Sequence, residues 1–251
     1  ALRAHNPQAE VAFAVSTNNN RWFNASYRMD EIAAQIDYCI VMGYDIWHRN
    51  TDAGPNAALP AVNAALQSFL TGWEVPPAKL VLAVPWYGYT YRCQEPVPSP
   101  LPTNPIYTPG LPSRPNCSAG VAPLDAFPRP CCSPWAPFSS SAAREFEAQL
   151  ANHSANCSDK VTDARSGSAV FECWSGADRF QSWFDDATST AAKAELASQL
   201  NLGGMAMWTA GNAPLGALGA RYWQAIGACD RQLSGPAVNV PQRSRFCCGM
   251  V

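Results

Sequence analysis

The sequence predicts an α/β fold of the (β/α)-barrel type, with parallel strands covered on both faces. Three apolar runs carry this prediction, and they end in Gly43-Tyr44-Asp45, in Trp86-Tyr87 and in Trp208. Continuous apolar runs are typical of parallel strands buried on both sides. A helix between the first two runs completes the strand–helix–strand rhythm of a right-handed crossover. Because barrel sites lie at the carboxyl ends of strands, aromatic and acidic residues there predict a sugar site.

The elements are predicted from local patterns in chain order. The first half is expected to contain a strand at 11–17, a helix at 29–35, a strand at 37–44, a helix at 55–71 and a strand at 79–85. In the longest helix, Pro55 stands at the start, apolar residues share one face, and Gly72 ends it. Towards the end of the chain, we expect a helix at 189–200, a strand at 203–208 and a helix at 215–227.

Residues 93–138 interrupt this rhythm. They are rich in proline and cysteine and show little periodicity, which is poor material for a helix or a central strand. A helix at 142–152 and extended segments at 170–174 and 179–184 are expected after them. The predicted division is 1–88 for the region of barrel strands 5–7, 89–182 for a Cys/Pro-rich insertion, 183–228 for barrel helix 7 to helix 8, and 229–251 for a Cys-containing tail.

Composition excludes several kinds of partner. The 251 residues are 47% hydrophobic and 14% charged, with a formal net charge of −2. This balance gives no reason to expect a nucleic acid or an anionic membrane as partner. No Cys-x-x-Cys pair occurs, and His5, His48 and His153 are scattered along the chain. We therefore expect no metal and no cofactor.

Cysteines and glycosylation sequons indicate the compartment. Ten cysteines favour an oxidising environment, and Asn-x-Ser sequons begin at Asn24, Asn116, Asn152 and Asn156. Together they predict a secreted or lysosomal/vacuolar protein. Most cysteines are expected in disulfides, with the four at 93, 117, 131 and 132 bracing the insertion. Cys39 is the expected exception, because it lies inside a predicted buried strand.

The strand ends also resemble a known family. Met42-Gly43-Tyr44-Asp45 resembles the Met-x-Tyr-Asp motif on the sixth strand of glycoside hydrolase family 18, the chitinase family. Residues 82–89 resemble its seventh strand, and 181–186 with 203–208 resemble its run into the eighth. Within the family, 86–89 followed by Cys93 is most similar to the lysosomal chitobiase branch.

The resemblance implies that this chain is the C-terminal half, strands 5–8, of a (β/α)8 TIM barrel with a Cys/Pro-rich insertion. The acid of the family lies on strand four, in Asp-x-x-Asp-x-Asp-x-Glu, and this motif does not occur in the 251 residues. The chain alone is therefore expected to be inactive. A half-barrel would also leave open strand edges at 11–17 and 203–208.

The resemblance further implies hydrolysis in which the N-acetyl oxygen of the substrate attacks the anomeric carbon. Tyr44 and Asp45 would be the catalytic residues. The substrate-binding residues would be Met42, Trp86, Tyr87 and Trp208. The substrate would be a chitooligosaccharide or an N-acetylglucosamine oligomer derived from N-glycans.

Several alternatives remain open at this level. Tyr44 and Asp45 could simply end a strand and cap a loop. Because strand residues alternate, only one of Trp86 and Tyr87 can face the cleft. Trp183 and Asp185 could lie near the cleft or could equally serve packing. Trp47 and His48 are expected on a solvated loop. The carboxylates of residues 45, 172, 185 and 186 are candidates for a replacement acid. The rival functions are a non-catalytic chitin- or glycan-binding protein and a cysteine-rich secreted interaction protein that uses a decayed barrel as scaffold.

Overall fold

The computed structural model describes residues 2–17, 27–46, 53–93, 131, 138–152, 156–232 and 246–247. Within them the α-helices are α1 (Leu2–His5), α2 (Met29–Gln35), α3 (Leu59–Gln67), α4 (Ala143–Ala151), α5 (Ala187–Gln199) and α6 (Gly216–Gln232). The strands are β1 (Ala12–Ser16), β2 (Tyr38–Met42), β3 (Leu80–Pro85), β4 (Tyr87–Cys93), β5 (Phe138–Ala142), β6 (Val161–Thr162), β7 (Ala169–Ser175), β8 (Asp178–Phe184), β9 (Gly204–Trp208) and β10 (Phe246–Cys247).

A parallel sheet with the order β1-β2-β3-β9-β10 forms one half of the fold. The prediction of four adjacent parallel strands in chain order is confirmed, with shorter ends than expected. The strands are in register through pairs such as Val41 with Leu82 and Leu82 with Met205. All six residues of β3 are buried, as its continuous apolar run indicated.

The main core lies between this sheet and its helices. The inward residues of α3 are Ala61, Val62, Ala65 and Leu66, which recur at helical spacing and are all buried. Cys39, Val41, Leu80 and Leu82 face them from the sheet within the same buried cluster. A smaller cluster on the opposite face of the sheet contains Val81, Ala83 and Ala206. The strands are therefore apolar on both faces.

Two expectations, one for the long helix and one for an edge of this sheet, are wrong. The long helix begins at Leu59 and continues after Gln67 as a π-helical turn, Ser68–Gly72. Pro55 is therefore outside the helix, and Pro60 takes the proline position of its first turn. The edge at 203–208 is not fully open, since Phe246–Cys247 pairs with Gly204 and Met205. A segment distant in the chain thus covers two of the five residues of β9.

A second, antiparallel sheet has the order β5-β4-β8-β7-β6. Its first strand, Tyr87–Cys93, begins two residues after β3 ends and was not predicted as a strand. The expected extended segments at 170–174 and 179–184 pair as β7 and β8, and the expected helix at 142–152 is confirmed as Ala143–Ala151. Residues 94–130 and 132–137, which form most of the proline- and cysteine-rich stretch 93–138, lie outside the described residues.

The cysteine predictions are partly tested. Disulfides join Cys93 with Cys131 and Cys157 with Cys173. Cys39 is free and buried, as expected, and burial raises the pKa of its thiol to about 12. Cys117 and Cys132 lie outside the described residues. Among the residues described, no helix is both long and apolar enough to cross a membrane.

Candidate functional site

The parallel register brings the carboxyl ends of β2, β3 and β9 to one edge of the sheet. Met42 pairs with Ala83, Ala83 with Ala206, and Pro85 with Trp208. Beyond β2 the Gly43 N–H still donates to the Ala83 carbonyl at 2.9 Å. A Cβ at Gly43 would come within 2.9 Å of the Ala83 carbonyl oxygen, a backbone atom that cannot move aside, so only glycine allows this close approach. The backbone thus places Tyr44 and Asp45 at this edge of the sheet.

Asp45 occupies the left-handed region of backbone conformation, with φ of 58°. Its N–H donates to Asn56 Oδ1 at 2.7 Å. Its carboxylate Oδ1 accepts the hydroxyl of Tyr89 at 2.6 Å and also that of Tyr87. A non-glycine residue in this region is uncommon and is held by its surroundings, often at functional sites. The carboxylate is therefore oriented by groups from the second sheet.

Asn56 connects the two sheets at this point. It is 1% exposed, and its Nδ2 donates to the Tyr87 carbonyl at 3.3 Å. Its own carbonyl accepts the Ile46 N–H at 3.0 Å. Since Asn56 also accepts the Asp45 N–H, one buried amide fixes the strand end after β2 against the start of β4.

Sequence reasoning missed Asn56 and Tyr89. A signal existed for Tyr89, because Tyr87, Tyr89 and Tyr91 alternate with smaller or polar residues, and alternate residues of a strand share a face. Their rings do meet in sequence, with centroids 5.9 Å and 6.4 Å apart. For Asn56 no local signal existed, since its role depends on contacts 11 and 31 residues away along the chain.

Tyr44 is half-buried beside this group. Its ring meets the Tyr87 ring edge-on, with centroids 6.0 Å apart and an interplanar angle of 70°. Burial raises the pKa of both phenols, and the negative charge of Asp45 raises each of them further. Both tyrosines therefore stay protonated at physiological pH and can act as hydrogen-bond donors.

Trp208 is the exposed aromatic residue of this edge. Its side chain is 52% exposed, although it ends a strand whose other residues are buried. The peptide bond to Thr209 is cis. Trp208 stands in register with Pro85, which separates it from the chain leaving β2 by two strand spacings, roughly 10 Å. An exposed indole at this distance can form one wall of a shallow site.

The other two predicted ligand-contacting residues are placed differently. Trp86 is 0% exposed and packs edge-on against Tyr222 and Trp223, with centroids 5.8 Å and 4.7 Å away. This burial does not support contact between Trp86 and a ligand. Met42 is partly buried at the last position of β2. Its binding role stays a prediction, and Trp47 and His48 lie outside the described residues.

The candidate replacement acids other than Asp45 are engaged in buried pairs. Asp185 lies 2.8 Å from Lys193 Nζ, and both side chains are 1% exposed. Burial raises the pKa of Asp185, and the Lys193 charge opposes that rise. Glu172 accepts from Arg179 and Gln181, each at 2.9 Å.

Asp186 has a different structural task. Its Oδ1 accepts the N–H groups of Thr188 and Ser189, each at 3.0 Å, which caps the N-terminus of α5. Its Oδ2 lies 2.9 Å from Lys160 Nζ. Burial works to raise the pKa of Asp186, but the Ser189 N–H and Lys160 outweigh it and hold that pKa below its usual range. Helix capping therefore explains this carboxylate without catalysis.

Within the described part of the chain, no group of three or more His, Cys, Asp or Glu side chains could hold a metal ion. The site at the sheet edge consists of phenol, carboxylate, amide and indole groups. Such a set can donate and accept hydrogen bonds and stack on a ring.

Comparison with known proteins identifies the family of the chain. A sequence model of the glycosyl hydrolases family 18 matches residues 1–213. Di-N-acetylchitobiase of Homo sapiens is 25% identical over 215 residues, covering 80% of this chain and 48% of that protein. The probable di-N-acetylchitobiase 2 of Dictyostelium discoideum is also 25% identical over 215 residues, covering 83% and 52%. The chain thus spans about half the length of these curated relatives.

Solved structures agree in fold. A class V chitinase mutant from Cycas revoluta, solved with (GlcNAc)3, has a TM-score of 0.61 and 21% identity, covering 91% of this chain and 57% of that chain. A chitinase-like agglutinin from Robinia pseudoacacia has a TM-score of 0.59 and 19% identity, covering 90% and 58%. The family fold is a TIM barrel, so the parallel sheet described above is part of one. Because the family match covers most of its length, the chain belongs to glycosyl hydrolase family 18.

Proposed function

We propose that the intact protein is a glycosidase that hydrolyses β-1,4-linked N-acetylglucosamine oligomers with retention of configuration. This chain would supply strands 5–8 of the barrel and the Cys/Pro-rich insertion. The observation that carries the proposal is the hydrogen-bonded group of Asp45, Tyr87 and Tyr89, next to Tyr44, at the same sheet edge as the exposed Trp208. Both the family membership and the half-length match to chitobiases support it.

Each side chain has a role that fits its surroundings. The Tyr44 phenol, kept protonated by its raised pKa, would donate to the acetamido oxygen of the substrate as that oxygen attacks the anomeric carbon. Asp45, oriented by two phenols and one amide, would bind a donor group of the sugar. Trp208 would stack under the ring. A nucleophile already held in the substrate removes much of the entropic barrier, which explains why one protein carboxylic acid is sufficient.

That acid would come from outside these residues. The family motif Asp-x-x-Asp-x-Asp-x-Glu is absent from the 251 residues, and Glu172, Asp185 and Asp186 are held in structural pairs. A positioned general acid contributes ~10²–10⁴-fold to the rate. The chain alone should therefore not cleave chitooligosaccharides. Because it supplies only half of the barrel edge, it should bind them weakly, with a Kd on the order of 1 mM.

The test compares this chain with the intact protein on a fluorogenic chitobioside, with chitotriose binding measured by calorimetry. We expect turnover by the intact protein and none by the chain. Robust turnover by the chain would require an acid among its own residues. An intact protein that binds no chitooligosaccharide would refute the substrate class.

A second candidate function is glycan binding without hydrolysis. The similarity in fold to the chitinase-like agglutinin of Robinia pseudoacacia favours it. The complete reading frame distinguishes the two functions: a strand that ends in Asp-x-x-Asp-x-Asp-x-Glu selects the hydrolase, and a replaced Glu selects the binding protein. For the binding protein, calorimetry would show binding of chitotriose, and the fluorogenic chitobioside would show no turnover.

The proposed location is secreted or lysosomal/vacuolar. Two disulfides among the described residues support an oxidising compartment, and four sequons are consistent with a glycoprotein. A chain of this kind would meet chitin fragments outside the cell or N-glycan remnants in the lysosome. Fractionation of cells that express the tagged protein tests the location.

A further inference from the structure

A short antiparallel bridge surrounds the disulfide between Cys157 and Cys173. The Ser158 N–H donates to the Glu172 carbonyl, and the Trp174 N–H donates to the Asn156 carbonyl, both at 2.8 Å. This pattern places Asn156 opposite Trp174. Residues opposite each other in an antiparallel pair project from the same face, with Cβ atoms ~4.5–5.5 Å apart. The two side chains are therefore neighbours on the surface.

Both members of this pair are exposed. Asn156 begins the sequon Asn156-Cys157-Ser158, and Trp174 is 37% exposed although it lies within β7. We propose that Asn156 carries an N-linked glycan whose first N-acetylglucosamine lies against the indole of Trp174. The apolar face of that sugar would shield the ring from water, so one modification explains both the exposed asparagine and the exposed tryptophan.

The donor is a lipid-pyrophosphate-linked oligosaccharide of the secretory pathway. Asn156 Nδ2 forms a bond to C1 of the first sugar, the bond from C1 to the pyrophosphate oxygen breaks, the amide loses one proton, and the lipid pyrophosphate leaves. The two disulfides indicate a compartment that permits this reaction. The inference does not depend on the proposed hydrolase function.

The folded geometry also predicts the order of events. In the bridge, Ser158 Oγ accepts the Glu172 N–H at 3.0 Å, and Cys157 is tied to Cys173. The hydroxyl and the backbone of the sequon are thus engaged once the bridge has formed. Transfer of the glycan therefore precedes closure of the bridge, and the disulfide and the glycan compete for this segment.

The test uses the intact protein secreted by a eukaryotic cell line, with the glycan mapped by peptide mass spectrometry. We expect a glycan on the peptide that contains Asn156. Asn156→Gln should remove it, whereas Asn152→Gln should leave it in place. Cys173→Ser prevents the disulfide without altering the sequon and should keep or increase the occupancy. Secreted protein with an unmodified Asn156 would overturn the proposal.

Melting temperatures test the contact with Trp174. One sample is trimmed to a single N-acetylglucosamine with an endoglycosidase, and another is freed of all sugar with an amidase. The trimmed form should melt about 3 °C higher, the shift that one stacking contact gives in a domain of this length. The difference should vanish in Trp174→Ala, which also controls for the aspartate that the amidase creates. Equal melting of the two wild-type forms would refute the stacking.

Discussion

Asp45 and Asp185 both follow the end of a strand, yet the structure uses them in opposite ways. Asp45 stands at the edge of the parallel sheet, where two tyrosine hydroxyls and one asparagine amide orient it. Asp185 is fully buried and faces the ammonium group of Lys193 at 2.8 Å, with the Ser168 hydroxyl donating to it at 3.3 Å. The first carboxylate is held by neutral donors, whereas the second is neutralised by a full charge.

The difference shows what separates a candidate binding carboxylate from a structural one. Neutral donors leave the charge of Asp45 available to a ligand at the sheet edge. A buried ion pair has no charge to offer, because its attraction is already needed to offset the desolvation of both ions. The residue type and its place after a strand are the same, so the partners decide the role.

The largest expected effect concerns the buried pair. Lys193→Ala leaves the Asp185 charge without its partner and should lower the free energy of unfolding by about 3–5 kcal/mol. Asp45→Asn keeps the shape of the side chain at the sheet edge and should change the free energy of unfolding by less than about 1 kcal/mol. Urea unfolding of both variants measures this. Similar losses would show that the two carboxylates do not differ as described.

The next effect concerns the hydrogen bond proposed for Tyr44. Tyr44→Phe in the intact enzyme should lower kcat by roughly 10²–10³-fold with little change in KM, because that bond would strengthen as the acetamido oxygen attacks. Tyr27→Phe is the matched control, since Tyr27 is exposed and its ring lies against Phe13 at 6.2 Å. Steady-state kinetics on the chitobioside measure both. An enzyme indifferent to Tyr44→Phe would remove the role assigned to this tyrosine.

A smaller effect tests how Asp45 is positioned. Asn56→Ala removes the acceptor of the Asp45 N–H but leaves the residue-56 carbonyl that binds the Ile46 N–H. Amide hydrogen exchange followed by NMR should therefore accelerate at Asp45 and stay slow at Ile46. Chitooligosaccharide affinity should fall about tenfold, which corresponds to about 1.4 kcal/mol.

A double-mutant cycle provides the control for this positioning role. In an Asp45→Ala background, Asn56→Ala should cost little further affinity, because the carboxylate that it positions is gone. Asn63→Ala on α3 should affect neither exchange nor affinity. Equal losses of affinity in both backgrounds would mean that Asn56 acts on the fold and not through Asp45.

The smallest effect is the pH dependence of the pair of Lys160 and Asp186. Because the pKa of Asp186 is lowered in the folded state, the carboxylate stabilises the fold at pH values above its unfolded pKa of about 3.9. This stabilisation is lost as the pH falls through the folded pKa. Burial works to lower the pKa of Lys160, but Asp186 and Glu147 raise it overall. The stabilisation that Lys160 contributes is therefore present at pH values below its unfolded pKa of about 10.4 and is lost as the pH rises through the folded pKa.

Lys160→Gln should therefore lower the free energy of unfolding by on the order of 1 kcal/mol between about pH 4 and pH 10. It should also remove the loss of stability at alkaline pH, because the titrating ammonium group is gone. Part of the acid loss should remain, since the Thr188 and Ser189 amides still bind Asp186. Arg92→Gln breaks an exposed pair with Asp178 and should have a smaller effect. Urea unfolding across pH measures both variants. A full alkaline transition in Lys160→Gln would assign it to another group.

The two sheets differ in how far local patterns predicted them. The strands of the parallel sheet were predictable because burial on both faces requires unbroken apolar runs, as in 80–85. The strand Tyr87–Cys93 was not, because it mixes tyrosine, glycine and arginine and is stabilised by pairing with β5 and β8, 45 or more residues later. Contacts of that range have no signature in the segment itself.

The sequence by itself determined the family, the parallel strands, the free buried Cys39 and the placing of Tyr44, Asp45 and Trp208 at strand ends. These follow from motifs and from periodicity, which are local properties. Only the tertiary structure decided that Trp86 is core, that Asn56 and Tyr89 hold Asp45, and that Asp185 belongs to a buried ion pair. The physical reason is that burial and hydrogen-bond partners depend on which distant segments meet, and those meetings set the role of each side chain.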